Sequence, residues 1–146
     1  RNVGKLEGAN STEFDENTPY PVVNMMESQK EVLNLGGTMR LGAQKTQIMK
    51  GTLLSRIYDG QEVVYERHRH RYEVDAEAFP QLFKNPGEEG YKLTISARSD
   101  FVEAVELDDH PFFVGIQYHP EYKSKVGKPH PIFKWLVKAA GGKIND

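Results

Sequence analysis

The stretch FFVGIQYHPEY, Phe112 to Tyr122, sets the tightest limit on what this chain can fold into. Phe112, Phe113, Val114 and Ile116 are aromatic or β-branched, and the run is bounded by His110-Pro111 before it and Pro120 after it. A short apolar run between prolines is the pattern of a buried strand. Continuous apolar strands need cover on both faces, so a three-layer α/β arrangement is expected, with FFVGIQY inside a mainly parallel central sheet. The covering helix is read at PIFKWLVKAA, Pro131 to Ala140. Its apolar residues fall at 132, 133, 135, 136, 137 and 139, with Pro131 in the first turn and Gly141-Gly142 after it.

His119 stands at the C-terminal end of that strand, where open α/β sheets bind ligands. Pro120 disfavours the helical region for the residue before it, so His119 is expected to be extended. Side chains at i and i+2 then share a side, their Cα atoms roughly 6 to 7 Å apart, and His119 can meet Glu121. A carboxylate on one ring nitrogen fixes the tautomer and frees the other to take a proton from a nucleophile. The plainer reading of His-Pro-Glu is a strand exit with two solvated polar residues.

The rest of the chain reads as short elements separated by turns. EGANSTEFDENTPYP is loop chemistry leading into the strand PVVNMM. Glu31 to Leu35, and Thr38 to Leu41 continuing into Gln44 to Met49, look like strands around a Gly36-Gly37 hairpin or bulge. Thr52 to Tyr58 suits a short helix capped by Thr52 and stopped by Asp59-Gly60. Val63 to Val74 is extended, a short helix is expected near Ala76 to Phe83, and Asn85 to Gly90 makes a turn. Leu93 to Ala97 and Val102 to Leu107 read as a β-hairpin.

With 146 residues, 38% of them hydrophobic and 27% charged, the chain has enough material for one globular domain. A net charge of −2 argues against bulk attraction to nucleic acid, and no apolar run approaches the roughly 20 residues of a membrane helix. No signal peptide is visible, and a cytoplasmic location is expected. The chain starts Arg1-Asn2-Val3 without methionine, which suggests a processed or excised piece. It has no cysteine, so it holds neither disulfides, thiolate metal sites nor a cysteine nucleophile.

ERHRHRYEV, Glu66 to Val74, is the second unusual stretch. Strand alternation sends Arg67, Arg69 and Arg71 to one face and His68, His70 and Tyr72 to the other. Three functions compete here. The arginines suit a phosphate or RNA patch, although Tyr72 is the sole interleaved aromatic. His68, His70 and His119 could hold a metal. A carboxylate clamp needs only one arginine on a rigid strand, because a guanidinium pairs with a carboxylate in bidentate fashion. A solvated edge strand, charged against aggregation, is the alternative without function.

ANSTEF (Ala9 to Phe14), LGGTMRLGAQ (Leu35 to Gln44), ERHRHRYEV, HPFFVGIQYHPEY (His110 to Tyr122) and KPHPIFKWLVKAA (Lys128 to Ala140) occur together in this order. In this combination the chain resembles the C-terminal class I glutamine amidotransferase domain of the CTP synthases along essentially its whole length. The resemblance implies a partial amidotransferase-like α/β fold over residues 1–146, with a synthetase domain outside this chain. It implies an enzyme that hydrolyses glutamine and passes the ammonia to that synthetase domain, where ATP and magnesium serve the amination of UTP to CTP. It assigns the base to His119, its orienting carboxylate to Glu121, and glutamine binding to Glu13 and Arg71. It implies no metal ligand in this chain, and no individual role passes to His68, His70, Arg67 or Arg69. Charge agrees with the substrate assignment: the α-ammonium of glutamine suits Glu13 and its α-carboxylate suits Arg71.

The departure from the family is equally specific. The family's cysteine elbow, its oxyanion-hole glycines and the synthetase domain lie upstream of the motif that opens this chain. No GxSxG elbow takes the cysteine's place, and Ser11 and Ser28 stand in unsuitable contexts. The chain alone is therefore expected to be inactive and to need as partners the first half of the amidotransferase domain and the synthetase domain, within an oligomeric full enzyme. Two alternatives stay open. One is an amidotransferase-like binding or regulatory module without turnover; the other is an interaction protein built on the basic strand.

Overall fold

Turn residues divide the chain into short strands, and the lengths of the connections decide how the strands pair. The computed structural model describes residues 2–25 and 40–141. In chain order the elements are β1 (Asn10–Ser11), β2 (Pro21–Asn24), β3 (Arg40–Ile48), α1 (Leu53–Ile57), β4 (Val63–His70), β5 (Glu73–Val74), a 3₁₀ turn (Pro80–Leu82), β6 (Phe83–Lys84), β7 (Leu93–Arg98), β8 (Val102–Glu106), β9 (Val114–Ile116), a second 3₁₀ turn (Pro120–Tyr122) and α2 (Pro131–Ala139). The readings of Glu31 to Leu35 and of Gly36-Gly37 lie outside the described residues.

Two mixed sheets carry these elements. The smaller has the order β1-β2-β5, with β1 parallel and β5 antiparallel to β2. The larger runs β4-β3-β7-β8-β9, antiparallel at every step, and β6 pairs β7 in parallel. The expectation of a mainly parallel central sheet with FFVGIQY inside it is therefore corrected. A parallel neighbour needs a crossover of a dozen residues or more, whereas only 99–101 join β7 to β8 and only 107–113 join β8 to β9. Such short links force antiparallel pairing, and β9 becomes a half-buried, three-residue edge strand.

A core of Ile48, Leu54, Ile57, Tyr58, Val64, Ala97, Ala104, Tyr118 and Ile132 joins the large sheet to α1 and α2. α1 forms where read. Its N-cap Thr52 accepts the Ser55 N–H at 3.0 Å, and Asp59 (φ 52°) and Gly60 (φ 77°) turn the chain out of the helix. The Glu106 carboxylate on β8 accepts the Leu53 and Leu54 N–H groups at 2.7 and 3.1 Å, satisfying the donors that a first turn leaves open. α2 begins at Pro131 behind an N-cap His130 and ends at Ala139, with Gly141 (φ 83°) turning the chain just past its C-cap Ala140.

Residues 76–83 do not form the expected helix. Pro80 lacks an amide hydrogen and holds Phe79 at φ −124°, ψ 52°, so the segment makes turns, a 3₁₀ turn and the short β6. Val63 to Val74 is extended but splits at Arg71-Tyr72, with β4 in the large sheet and β5 in the small one. That break lies beside the site.

Candidate active site

β4 is the element on which the site is built. Its residues alternate strictly, with Tyr65, Arg67 and Arg69 exposed and Val64, Glu66 and His68 buried. Arg71, just past the strand, is exposed as well. The expected alternation holds along β4 but not through Arg71 and Tyr72, where the strand has ended and Arg69, His70, Arg71 and Tyr72 line one cleft. The histidines are each engaged separately: His68 Nε2 lies 3.5 Å from Glu103, His70 Nε2 lies 2.9 Å from Glu73, and His119 pairs with Glu121. Among the described residues no group of three His, Cys, Asp or Glu side chains is placed to hold a metal ion, so His68, His70 and His119 do not form one site.

His119 and Glu121 meet as expected, but through a different backbone. His119 adopts φ −106°, ψ 88°, and the chain then enters the 3₁₀ turn Pro120–Tyr122 instead of continuing extended. The turn brings Glu121 Oε1 to 2.6 Å from His119 Nδ1. The carboxylate accepts the Nδ1–H, and hydrogen bonding to His119 holds the Glu121 carboxyl below its ordinary value. With Nδ1–H committed, the neutral ring presents Nε2 as a bare acceptor. The His119 side chain is 36% exposed. The Tyr122 ring stacks on the imidazole, with centroids 5.1 Å apart and planes at 23°, and the Arg67 guanidinium lies 6.0 Å from the Tyr122 centroid.

Glu13 and Arg71 line one cleft of about 660 Å³, together with Ser11, Phe14, Arg69, His70, Tyr72 and Gln117. The small sheet supplies one wall. Glu13 sits in the turn after β1, where its N–H donates to Ser11 Oγ at 3.2 Å. Gln117 ties the walls together by donating from Nε2 to the Tyr72 carbonyl at 2.8 Å. His119 itself is not on this lining. A neighbouring depression, lined by Leu41, Gly42, Arg67, His68, Arg69 and Tyr122, shares Arg69 with the cleft and reaches the ring stacked on His119. The structure thus groups Glu13 with Arg71 and groups His119 with Glu121, with Arg69 bordering both depressions.

The class-I glutamine amidotransferase model matches residues 8–139. The chain belongs to this family. It is 70% identical to the CTP synthase of Thermotoga maritima over 142 residues, which is 97% of this chain and 27% of that protein. It is 51% identical to the CTP synthase of Methanocaldococcus jannaschii over 145 residues, covering 97% of this chain and 26% of the relative. The chain therefore spans about a quarter of the length of these curated relatives. Among solved structures it superposes on the glutaminase domain of the Trypanosoma brucei CTPS with bound acivicin. The TM-score is 0.81 at 35% identity, covering 99% of this chain and 55% of that one.

The amidotransferase fold is thus the α/β class expected, built here from mixed sheets with few helices. Gln117 and Tyr122 were not singled out from the sequence of this amidotransferase chain, and Arg69 was named there only within the basic run, with no individual role. Tyr122 left a usable signal: an aromatic three residues after His119, across a proline-started turn, stands where it can stack on the ring. Gln117 left none, because its partner is a backbone carbonyl 45 residues away.

Proposed function

We propose that this chain is the C-terminal part of the glutaminase domain of a CTP synthase, and that His119 is its general base. A cysteine supplied from outside the chain gives its thiol proton to His119 Nε2, and the thiolate attacks the glutamine amide carbon. His119 then returns the proton to the departing ammonia, and a water activated by the same nitrogen hydrolyses the thioester. Glu121 holds the ring in the tautomer that leaves Nε2 free. Glu13 takes the α-ammonium of glutamine and Arg71 its α-carboxylate. The ammonia goes to a synthetase domain outside this chain, where ATP and magnesium serve the amination of UTP to CTP.

The observation that carries the reading is the 2.6 Å contact between His119 Nδ1 and Glu121 on a chain whose Glu13 and Arg71 share a cleft. The test is glutamine hydrolysis by the chain reconstituted with a segment bearing the family's cysteine elbow. Glu13→Gln and Arg71→Met should raise KM far more than they lower kcat, whereas His119→Ala should abolish kcat. Reconstitution that binds glutamine without turnover would favour the alternative of a binding module. Unchanged KM in both cleft variants would remove Glu13 and Arg71 from the site.

A further inference from the structure

The turn that presents His119 and Glu121 is short, with Pro120 buried but Glu121 and Tyr122 exposed, and the dyad's 2.6 Å geometry depends on what anchors it. Two anchors attach it to the edge strand β4. The His119 N–H donates to the Arg67 carbonyl at 2.8 Å. Two residues back along the strand, the Tyr65 carbonyl accepts from Lys123 Nζ at 2.7 Å. Lys123 follows the turn directly, and its ammonium also reaches Glu66 Oε1 at 3.0 Å.

Glu66 makes this second anchor more than a surface contact. Its side chain is 1% exposed, and its Oε1 accepts from the Tyr58 hydroxyl at 3.1 Å and His130 Nε2 at 3.2 Å as well as from Lys123. His130 Nδ1 accepts the Ile132 N–H, so the neutral ring carries its proton on Nε2 and donates it to Glu66. Burial pushes the Glu66 carboxyl upward, but hydrogen bonds from His130 and Lys123 overcome this and hold it below its ordinary value. A buried carboxylate needs a partner of opposite charge, and Lys123 brings one from the turn.

We infer that Lys123 is a positioning residue for the His119–Glu121 pair, with buried Glu66 as its anchor. The ammonium joins the turn to the β4 backbone and to a carboxylate that also holds α1 through Tyr58 and the N-cap of α2 through His130. The turn therefore inherits the rigidity of the core, and His119 keeps the ring orientation in which Nδ1–H faces Glu121. The inference rests on the reading of His119 and Glu121 as a working pair.

The test reads the His119 tautomer directly, by long-range ¹H–¹⁵N imidazole spectra of the full chain at a pH where the ring is neutral. The unaltered chain should show Nδ1 protonated and Nε2 bare. Lys123→Met should give a mixture of tautomers, and Lys123→Arg, which keeps charge and reach, should restore the single form. Glu66→Gln preserves shape and removes the charge that Lys123 meets, so it should give the same mixture and decides the matter where Lys123→Met does not fold, as judged by backbone amide spectra. Glu121→Ala serves as the control for the pair, because a glutamine oxygen at this position can still accept the Nδ1–H. If Glu121→Ala loses the single tautomer while Lys123→Met and Glu66→Gln keep it, the positioning role is overturned and the pair stands. If Glu121→Ala itself changes nothing, the pair and the inference fall together.

Discussion

Three donors on one oxygen of Glu66 set an unusual constraint at the scale of single residues. The folded-state value of this carboxyl is depressed, so its contribution to stability is fully present above the unfolded value, roughly 4.3, and is lost as pH falls through the folded value. Glu106 acts in the opposite sense. Burial raises it despite the Leu53 and Leu54 N–H groups, so its contribution is present at low pH and fades as pH rises towards its folded value. Urea unfolding at several pH values should therefore show Glu66→Gln less stable than the unaltered chain at pH 7, with the gap narrowing below about pH 4. A gap that stays constant with pH would mean that Glu66 is not held as a stabilised carboxylate. This residue was not legible in advance. In the sequence it is the acidic opening of a basic run, and its partners Tyr58, Lys123 and His130 lie 8, 57 and 64 residues away. The pair of His119 and Glu121 was legible because Pro120 restricts the residue before it and keeps both polar groups within two positions.

Among the elements, those whose signals are local formed where they were read. α1 depends on Thr52, whose hydroxyl donates to the Met49 carbonyl at 2.7 Å and accepts from Ser55 N–H at 3.0 Å. Replacing it with alanine should cost about 1 kcal/mol, within a range of about 0.5–2, in chemical unfolding. No measurable loss would show that the Glu106 carboxylate suffices to cap the helix. Residues 76–83 went the other way because Pro80 interrupts them, a rule the sequence displays plainly but the expected helix ignored. The strand FFVGIQY was recognised by its apolar run, yet its neighbours were misjudged. Apolar content alone does not separate a central parallel strand from an antiparallel one near an edge; the seven-residue link before β9 does, by ruling out a crossover. β4, read as an edge strand in the plainest account of its charges, is indeed at the end of its sheet. Two of its carbonyls are taken up by His119 and Lys123, so the contact that covers an exposed edge also carries the candidate base.

The molecule as a whole carries a cleft lined by Glu13 and Arg71 and, outside that lining, a histidine–carboxylate pair, and it contains no cysteine. Family membership was legible because five motifs recur in order along nearly the whole chain; the mixed sheets were not, because pairing depends on link lengths distributed over the fold. Among the described residues no helix is long and apolar enough to cross a membrane. On the proposed function this chain supplies a base, its orienting carboxylate and a substrate clamp for a nucleophile it lacks. Removing one member of such a cooperating set costs on the order of 10⁴ to 10⁶ in rate. The decisive measurement is ammonia release from glutamine by the purified chain, alone and together with a segment carrying the cysteine elbow. The chain alone should give no turnover above background, complementation should restore turnover, and His119→Ala should abolish it again, with Glu121→Ala costing less. Ammonia released by the chain alone, in a preparation free of contaminating glutaminase, would contradict this by showing that another residue serves as nucleophile.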